Sequence, residues 1–125
     1  MIHLLDVNML LAAIWENHPH HDRAFRWVEG KGLSVCPLTE LGFIRISTNP
    51  KAINASMGKT RQLLRDFLAE RAVTRIPDDL PALESQALIC EDVTDYYLAA
   101  LAERHGMKLA TLDGNIHHPA AVLVA

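Results

Sequence analysis

Four acidic residues are the part of this sequence best suited to chemistry: Asp6, Glu40, Asp95 and Asp113. Carboxylates gathered in one cleft repel each other, which raises their pKa values unless a cation neutralises them. Because oxygen donors without Cys or His favour hard ions, such a cleft would select Mg²⁺ or Mn²⁺. These ions lower the pKa of bound water and stabilise phosphate oxygens during displacement, so the chemistry indicated is hydrolysis of a phosphodiester.

The acids can meet only if the fold brings four separate stretches of chain together. Apolar runs of strand length alternate with stretches of helical period, which predicts an α/β fold with a parallel sheet covered by helices. The length fits one domain, residues 1–125. The predicted strands are Ile2–Leu5, Leu33–Cys36, Val73–Ile76, Lys108–Leu112 and Ala121–Val124.

Helices are predicted where the apolar residues recur with helical period. Thr94 is expected to cap the last helix at its start, and Gly106 to end it in the left-handed conformation. Phe25 and Trp27 are expected to point toward the core. The predicted helices are Val7–Trp15, His20–Glu29, Leu38–Ser47, Lys59–Glu70, Leu83–Cys90 and Asp95–His105.

On this plan all four acids lie at one edge of the sheet. Asp6 and Asp113 follow strands, whereas Glu40 and Asp95 begin helices. The carboxyl ends of parallel strands and the amino ends of the following helices share the edge where such folds bind ligands. The last helix descends roughly 16 Å and the next strand climbs back roughly 16 Å, so Asp113 should return to the level of Asp95.

Charge is unevenly distributed along the chain. The net charge of -3 argues against a protein that coats nucleic acid nonspecifically. However, Lys51–Arg75 carries six bases and two acids, a local charge of +4, and Ile76–Asp95 carries six acids and no base. The first segment could hold a phosphate backbone and the second could gather cations, although both could equally be solvated helix faces.

The cysteines and the N-terminus favour a cytoplasmic protein. Cys36 and Cys90 lie outside any Cys-x-x-Cys pattern and are interpreted as reduced core thiols, with a lone disulfide as the lesser alternative. Asp6 interrupts the first apolar stretch and no Lys or Arg precedes it, which is unlike a signal peptide. No run approaches the roughly 20 apolar residues of a membrane span.

Four sequence blocks resemble the signature motifs of PIN-domain VapC toxins, the ribonucleases of type II toxin-antitoxin systems. Their order and spacing and the total length are similar to that family, and the resemblance covers essentially the whole chain. The blocks are Leu4-Leu5-Asp6-Val7-Asn8, Leu38-Thr39-Glu40-Leu41-Gly42-Phe43, Thr94-Asp95-Tyr96-Tyr97-Leu98-Ala99-Ala100-Leu101-Ala102 and Leu109-Ala110-Thr111-Leu112-Asp113.

The resemblance implies both a fold and an activity. The fold would be a PIN-like three-layer α/β/α sandwich with a central, mostly parallel sheet of four to five strands. The activity would be that of an endoribonuclease that hydrolyses RNA with water activated by Mg²⁺ or Mn²⁺, with Asp6, Glu40, Asp95 and Asp113 as catalytic residues and metal ligands. The implied partners are RNA, a cognate antitoxin, and further copies in a homodimer or a toxin-antitoxin hetero-oligomer.

The resemblance also implies supporting residues around the acids. Asn8 would orient Asp6, and Thr111 would place a hydroxyl on the strand face of Asp113. Many relatives have another acid two positions after the fourth one. This chain has Asn115 there, which weakens the case for a second metal ion.

Several cationic and aromatic residues are candidates for binding. Arg45, Lys59 and Arg61 could hold a substrate phosphate, although Arg45 could instead pair with an acid. Trp15 could line a groove for a partner, together with Phe25 and Trp27, but core packing is the simpler interpretation of each ring.

Two groups of histidines also stand out. His18, His20 and His21 could bind a transition metal, although solvated histidines in a polar turn are more common. His117 and His118 follow the fourth acid closely enough to touch RNA, or form an exposed loop.

Other protein classes compete with the nuclease interpretation. A phosphoacceptor receiver domain would have paired acids after the first strand and a lysine at the last one, but Asn8 fills the first position and 121–125 has no lysine. A haloacid-dehalogenase phosphatase would also need an acid at Asn8. In a protein-binding adaptor the acids would serve only as helix caps, and divalent ions would not stabilise the fold.

Overall fold

The computed structural model describes residues 1–125, with five strands and five helices in the order β1-α1-α2-β2-α3-α4-β3-α5-β4-β5. Two single 3₁₀ turns, Ala82–Glu84 and Cys90–Asp92, precede the last helix. The strands are β1 Ile2–Leu5, β2 Gly32–Val35, β3 Thr74–Arg75, β4 Lys108–Thr111 and β5 Ala121–Leu123. The helices are α1 Val7–Ile14, α2 His21–Val28, α3 Pro37–Thr48, α4 Met57–Glu70 and α5 Val93–Arg104.

The sheet is parallel throughout, with the strand order β3-β2-β1-β4-β5. The chain moves outward from β1 to β3 and then crosses back to β4 on the other side of β1. Ligands bind open α/β sheets where the strand order reverses in this way, outside the carboxyl ends of the two strands concerned. Leu5 pairs with Ala110 at that point, and the backbone N–H of Asp6 donates to the Ala110 carbonyl over 3.2 Å.

Apolar layers cover both faces of the sheet. Leu5 packs with Phe43 of α3 and with the other core residues of α1, α2 and α4. Leu4 and Leu109 point the other way and pack with Leu98 of α5. This alternation follows from the two-residue period of a strand, and it gives the three-layer α/β/α sandwich that the sequence predicted.

Local capping fixes where two of the helices begin at the carboxyl edge of the sheet. The Asp6 carboxylate accepts the Met9 backbone N–H over 2.7 Å and caps α1. The Thr39 hydroxyl accepts the Cys36 backbone N–H over 3.1 Å, and Pro37 occupies the first position of α3. The residues after β1 and β2 are thereby held in fixed directions.

The five predicted strands and five of the six predicted helices are confirmed, with small shifts at their ends. The helix predicted over Leu83–Cys90 is wrong, since the chain there forms only the two 3₁₀ turns. Leu83 and Leu88 are 98% and 96% exposed. An eight-residue segment is too short to be helical without an apolar face to bury, because isolated helices shorter than about 12–15 residues are marginal in water.

The start of α5 also differs from the prediction, whereas its end does not. The helix begins at Val93, so Thr94 lies inside the first turn and does not cap it. Gly106 follows the helix at a φ of 70°, as predicted. The left-handed conformation costs a glycine little because it has no Cβ.

Phe25 and Cys90, which were both predicted to lie in the core, lie at the surface. Phe25 is 44% exposed and its ring lies 5.0 Å from the Arg71 guanidinium, so the prediction that it faces the core is wrong. Trp27 is half-buried against the core. Cys36 is buried as expected, but Cys90 is exposed, and both thiols are free. No helix in the chain combines the length and the apolar character needed to cross a membrane.

Close packing between α1 and α3 generates a first prediction. A Cβ on Gly42 would lie 2.6 Å from a methyl carbon of Val7, whose branched side chain cannot easily move away. We expect Gly42→Ala to destabilise the protein by about 1–3 kcal/mol, measured by urea unfolding. Gly58→Ala in α4, where nothing lies within 4 Å, is the matched control and should be neutral or slightly stabilising. Equal effects of the two substitutions would contradict the steric explanation.

Candidate active site

Asp6 is the most buried acid of the candidate site, with 3% of its surface exposed. The pKa of its carboxyl is raised to about 6, mainly by burial and to a lesser extent by the charges of Asp95 and Asp113. Hydrogen bonds from the Thr111 hydroxyl and the Met9 backbone N–H act in the opposite direction because they stabilise the ionised form. Asp6 is thus close enough to two other predicted acids to interact with their charges.

Asp95 lies at the same edge of the sheet as Asp6, but it is carried by α5, which packs on the opposite face of the sheet from α1. It lies in the first turn of α5 and is half-buried. Burial raises the pKa of its carboxyl, with smaller contributions from the charges of Asp113 and Asp92. The sheet edge therefore joins acids from both faces of the sheet, as its topology predicts.

Asp113 and Thr111 complete a hydrogen-bonded connection at the end of β4. The Asp113 backbone N–H donates to the Thr111 hydroxyl oxygen over 3.0 Å. The Asp113 Oδ1 accepts the Asn115 backbone N–H over 2.9 Å. Thr111 is buried and also lowers the pKa of Asp6, so its hydroxyl lies near the residues that follow both β1 and β4. Asn115 contributes its backbone to this turn, and its side chain is exposed.

Asn8 is not the residue that holds Asp6 in place. It is exposed in the first turn of α1 and forms no hydrogen bond with the Asp6 carboxylate, whose partners are Met9 and Thr111. The expected orienting role therefore belongs to Thr111. The side chain two positions after Asp6 points outward because the first turn of α1 rotates it away from the capping position.

Glu40 stands apart from the three aspartates. It lies in the first turn of α3, as predicted, but its Oε2 accepts a hydrogen bond from Arg75 Nη2 over 3.1 Å. No group of three or more His, Cys, Asp or Glu side chains lies close enough to hold a metal ion in this structure. The four carboxylates therefore do not converge as expected. Glu40 is instead paired with Arg75, on the strand at the edge of the sheet.

The donor chemistry of the aspartates nevertheless fits a hard divalent cation. Asp6, Asp95 and Asp113 form no ion pair with a Lys, Arg or His side chain. Their oxygens are of the type that Mg²⁺ and Mn²⁺ prefer. A cation bound between them would remove the repulsion that raises the pKa values of Asp6 and Asp95.

The predicted cationic residues lie at different distances from the acids. Arg45 is exposed and lines a groove with Val7 and Thr94, the sequence neighbours of Asp6 and Asp95. Lys59 Nζ lies 6.0 Å from the ring of Trp15, which follows the opposite end of α1. Arg61 is also exposed, on α4. Of the three, only Arg45 lines a groove with sequence neighbours of the acids.

The three aromatic residues proposed as an alternative groove do not share one surface. Trp15 is buried, stacks on Phe43 and donates its indole N–H to Ser47 Oγ over 2.9 Å. Trp27 packs edge-on against His3 at a ring distance of 5.0 Å. Phe25 alone presents its ring to solvent. The simpler interpretation therefore holds for Trp15, which is a core residue.

The histidines of the turn between α1 and α2 have a position that the sequence did not reveal. His18 and His20 line a groove with Asn8, Leu112 and Asp113. His21 Nδ1 instead lies 2.8 Å from the Ala12 carbonyl. Burial and the neighbouring imidazoles lower the pKa of His18. The three histidines do not form a metal site.

His117 and His118 border a different groove, which also contains Tyr96. The His117 backbone N–H donates to the Tyr96 hydroxyl over 3.2 Å, and His118 Nδ1 accepts the Ala120 backbone N–H over 3.0 Å. These bonds shape the loop after Asp113. Contact of either histidine with RNA stays a prediction.

Comparisons with known proteins identify the family of this fold and site. Residues 3–122 match the PIN domain family. The chain is 38% identical to Ribonuclease VapC38 of Mycobacterium tuberculosis, over 90% of this chain and 86% of that protein. It is 36% identical to Ribonuclease VapC39 of the same species, over 90% of this chain and 89% of that protein.

Solved structures show the same fold. A toxin-antitoxin complex from Klebsiella pneumoniae contains a chain with a TM-score of 0.65 at 16% identity, over 98% of both chains. VapBC2 from Rickettsia felis, bound to a DNA fragment from its promoter, has a TM-score of 0.66 at 18% identity, over 98% of this chain and 97% of that chain. The chain belongs to the PIN-domain family, among the VapC proteins.

The raised pKa of Asp6 predicts how stability depends on pH. The folded protein binds the Asp6 proton more tightly than the unfolded chain, so stability falls as pH rises from 3.8 to about 6. Asp6→Asn removes this effect while retaining a side chain that can cap α1. We expect the variant to be more stable than the parent at pH 7.5, by at most about 3 kcal/mol, and close to it at pH 4.

Chemical unfolding at both pH values, without divalent ions, measures this difference. The control is Asp66→Asn on the exposed side of α4, which should change little between pH 4 and pH 7.5. A destabilised Asp6→Asn protein at pH 7.5 would show that the Asp6 charge does not oppose folding.

Proposed function

We propose that this chain is a metal-dependent endoribonuclease, a hydrolase that cuts phosphodiester bonds in RNA as the toxin of a toxin-antitoxin pair. One observation carries the proposal: Asp6, Asp95 and Asp113 interact at the reversal point of the sheet, and none has a cationic side chain as a partner. Their carboxylate oxygens are the donors that a hard divalent ion prefers, and the three side chains would have to move closer together to hold one. The names of the VapC relatives support RNA as the substrate.

Mg²⁺ or Mn²⁺ is the cofactor that this donor set would hold. Asp6, Asp95 and Asp113 would be the ligands, with Glu40 as a fourth once it leaves Arg75. Bound there, such an ion supplies positive charge for the phosphate oxygens and lowers the pKa of water.

The side chains of the site have separate tasks in this proposal. Asp6 is fixed by Met9 and Thr111, so its orientation is set before any ligand binds. The Thr111 hydroxyl also accepts the Asp113 backbone N–H, which holds the backbone of Asp113 at the end of β4. Asp95 is carried by the first turn of α5 and would complete the ligand set from the opposite face of the sheet. Arg45, at the rim, would contact a substrate phosphate.

The partners proposed are RNA and a cognate antitoxin, with which the chain would act in the cytoplasm. The two structural neighbours were solved as toxin-antitoxin assemblies, which supports a protein partner of this kind. A homodimer or a toxin-antitoxin hetero-oligomer would follow from such an assembly.

Strand order argues against the receiver-domain alternative. Receiver domains have the order 2-1-3-4-5, whereas this sheet has the order 3-2-1-4-5. The position that would carry the second acid of a haloacid-dehalogenase phosphatase is Asn8, which is exposed and does not contact Asp6. The adaptor alternative predicts no cleavage and no stabilisation by divalent ions.

The central test is cleavage of RNA by the purified chain. We expect new RNA ends when total RNA is incubated with protein and Mn²⁺, and none with chelator. Asp6→Asn, Asp95→Asn and Asp113→Asn should each reduce the rate at least about a hundredfold, as removal of an essential group does in other enzymes. Sequencing of the new ends gives the cut site.

The Asp66→Asn protein is the matched control and should cut at the parental rate. The same samples also separate an enzyme from an adaptor, because Mn²⁺ should raise the melting temperature of the parent but not of Asp6→Asn. Parental cleavage by Asp6→Asn would remove Asp6 from the site.

A further prediction concerns the basic segment. We expect Lys59→Glu combined with Arg61→Glu to weaken RNA binding at low salt by about tenfold, because phosphate contacts dominate affinity and are lost with the charges. Metal binding should not change. Lys31→Glu with Lys108→Glu is the control, since it makes the same charge change at the amino ends of β2 and β4, the edge opposite the acids. Equal losses in both double variants would mean that only net charge matters.

A further inference from the structure

The turn between α1 and α2 forms a wall of the groove that contains Asp113. Its residues His18, Pro19 and His20 face Asn8 and Asp113 across this groove. The proposed catalytic site uses none of these histidines. Their position beside an acid of the site gives them access to whatever strand the acids bind.

Hydrogen bonds fix the tautomers of both imidazoles. Arg23 Nη2 lies 3.0 Å from His20 Nδ1, and a guanidinium can only donate, so that nitrogen must be an acceptor. The His20 backbone N–H donates to His18 Nδ1 over 3.0 Å in the same way. Since both Nδ1 atoms accept, the proton of each neutral ring is on Nε2. The turn therefore offers two N–H donors.

The surroundings favour an anion as the acceptor for these donors. Arg23 places a positive charge behind His20, and a hydrogen bond received at one ring nitrogen strengthens donation from the other. The helix α2 begins directly after His20, with no side chain capping it, so its free N–H groups carry a partial positive charge, which the exposed Asp22 in the same turn offsets in part. Two donors of this type offset the repulsion that Asp113 would exert on a phosphate.

We propose that His18 and His20 bind a phosphate of the RNA strand next to the one that is cleaved. This subsite rests on the proposed ribonuclease function. It is a binding site for the backbone, so it should act on RNA of any sequence, and it should affect substrate affinity more than the chemical step.

The test compares donors at the same positions. His18→Leu with His20→Leu removes both N–H groups, whereas His18→Gln with His20→Gln keeps a donor near each Nε2 position. Binding of fluorescent oligo(A) and oligo(C) RNA is measured at low salt in the Asp6→Asn background, which should not cut. We expect about tenfold weaker binding of both RNAs by the Leu variant and near-parental binding by the Gln variant.

Kinetics in the otherwise unchanged protein give a second readout. In the presence of Mn²⁺ the Leu variant should raise KM by about the same factor and leave kcat within about threefold, as expected when binding common to ground and transition states is lost. His105→Leu, which changes a histidine at the end of α5 away from Asp95, is the control and should bind both RNAs as the parent does.

The possible outcomes distinguish failure of the subsite from failure of the proposed function. Unchanged binding by the Leu variant, an equal loss in the control, or failure of the Gln variant to restore binding would overturn the subsite. A loss on only one of the two RNAs would mean contact with a base, which overturns the phosphate assignment. If the parent neither binds nor cuts RNA, the proposed function itself fails.

Discussion

The parallel pairing of β1 with β4 is the constraint on which the rest of the site depends. These strands are far apart in the chain, and their pairing puts Asp6 beside the end of β4. The apolar residues Leu4, Leu5 and Leu109 hold the pairing from both faces of the sheet. Because the strand order reverses here, no helix covers the opening between the strands, and the acids keep access to solvent.

The buried charge of Asp6 lowers the stability of the folded protein at neutral pH. Asp6 is buried and its carboxyl has a pKa near 6, so at neutral pH it carries a charge in surroundings that disfavour the ionised form. The chain tolerates this because Met9 and Thr111 supply hydrogen bonds and because α1 and α3 are tightly packed, with Gly42 against Val7. Such opposition between stability and local charge is typical of functional sites.

The sequence could predict what depends on local pattern and on burial. The strands were found because a parallel strand covered on both faces is apolar throughout, and the acids were found because they follow or precede such elements. The failed helix at Leu83–Cys90 shows the limit, since periodic apolar residues do not reveal whether a surface exists to cover them. The Glu40–Arg75 pair and the place of His18 beside Asp113 depend on contacts between distant segments. A short stretch of sequence contains only one partner of each contact, so its pattern cannot predict the pair.

The pair formed by Glu40 and Arg75 has a consequence for how the protein would load and unload a ligand. Arg75 occupies only Oε2 of Glu40, and a carboxylate can accept at both of its oxygens. Because the Arg75 guanidinium is two-thirds exposed, solvent screens the pair and its loss would cost little free energy. The outer strand β3 therefore restrains Glu40 only weakly, and Glu40 is the acid of the four that could change position most readily.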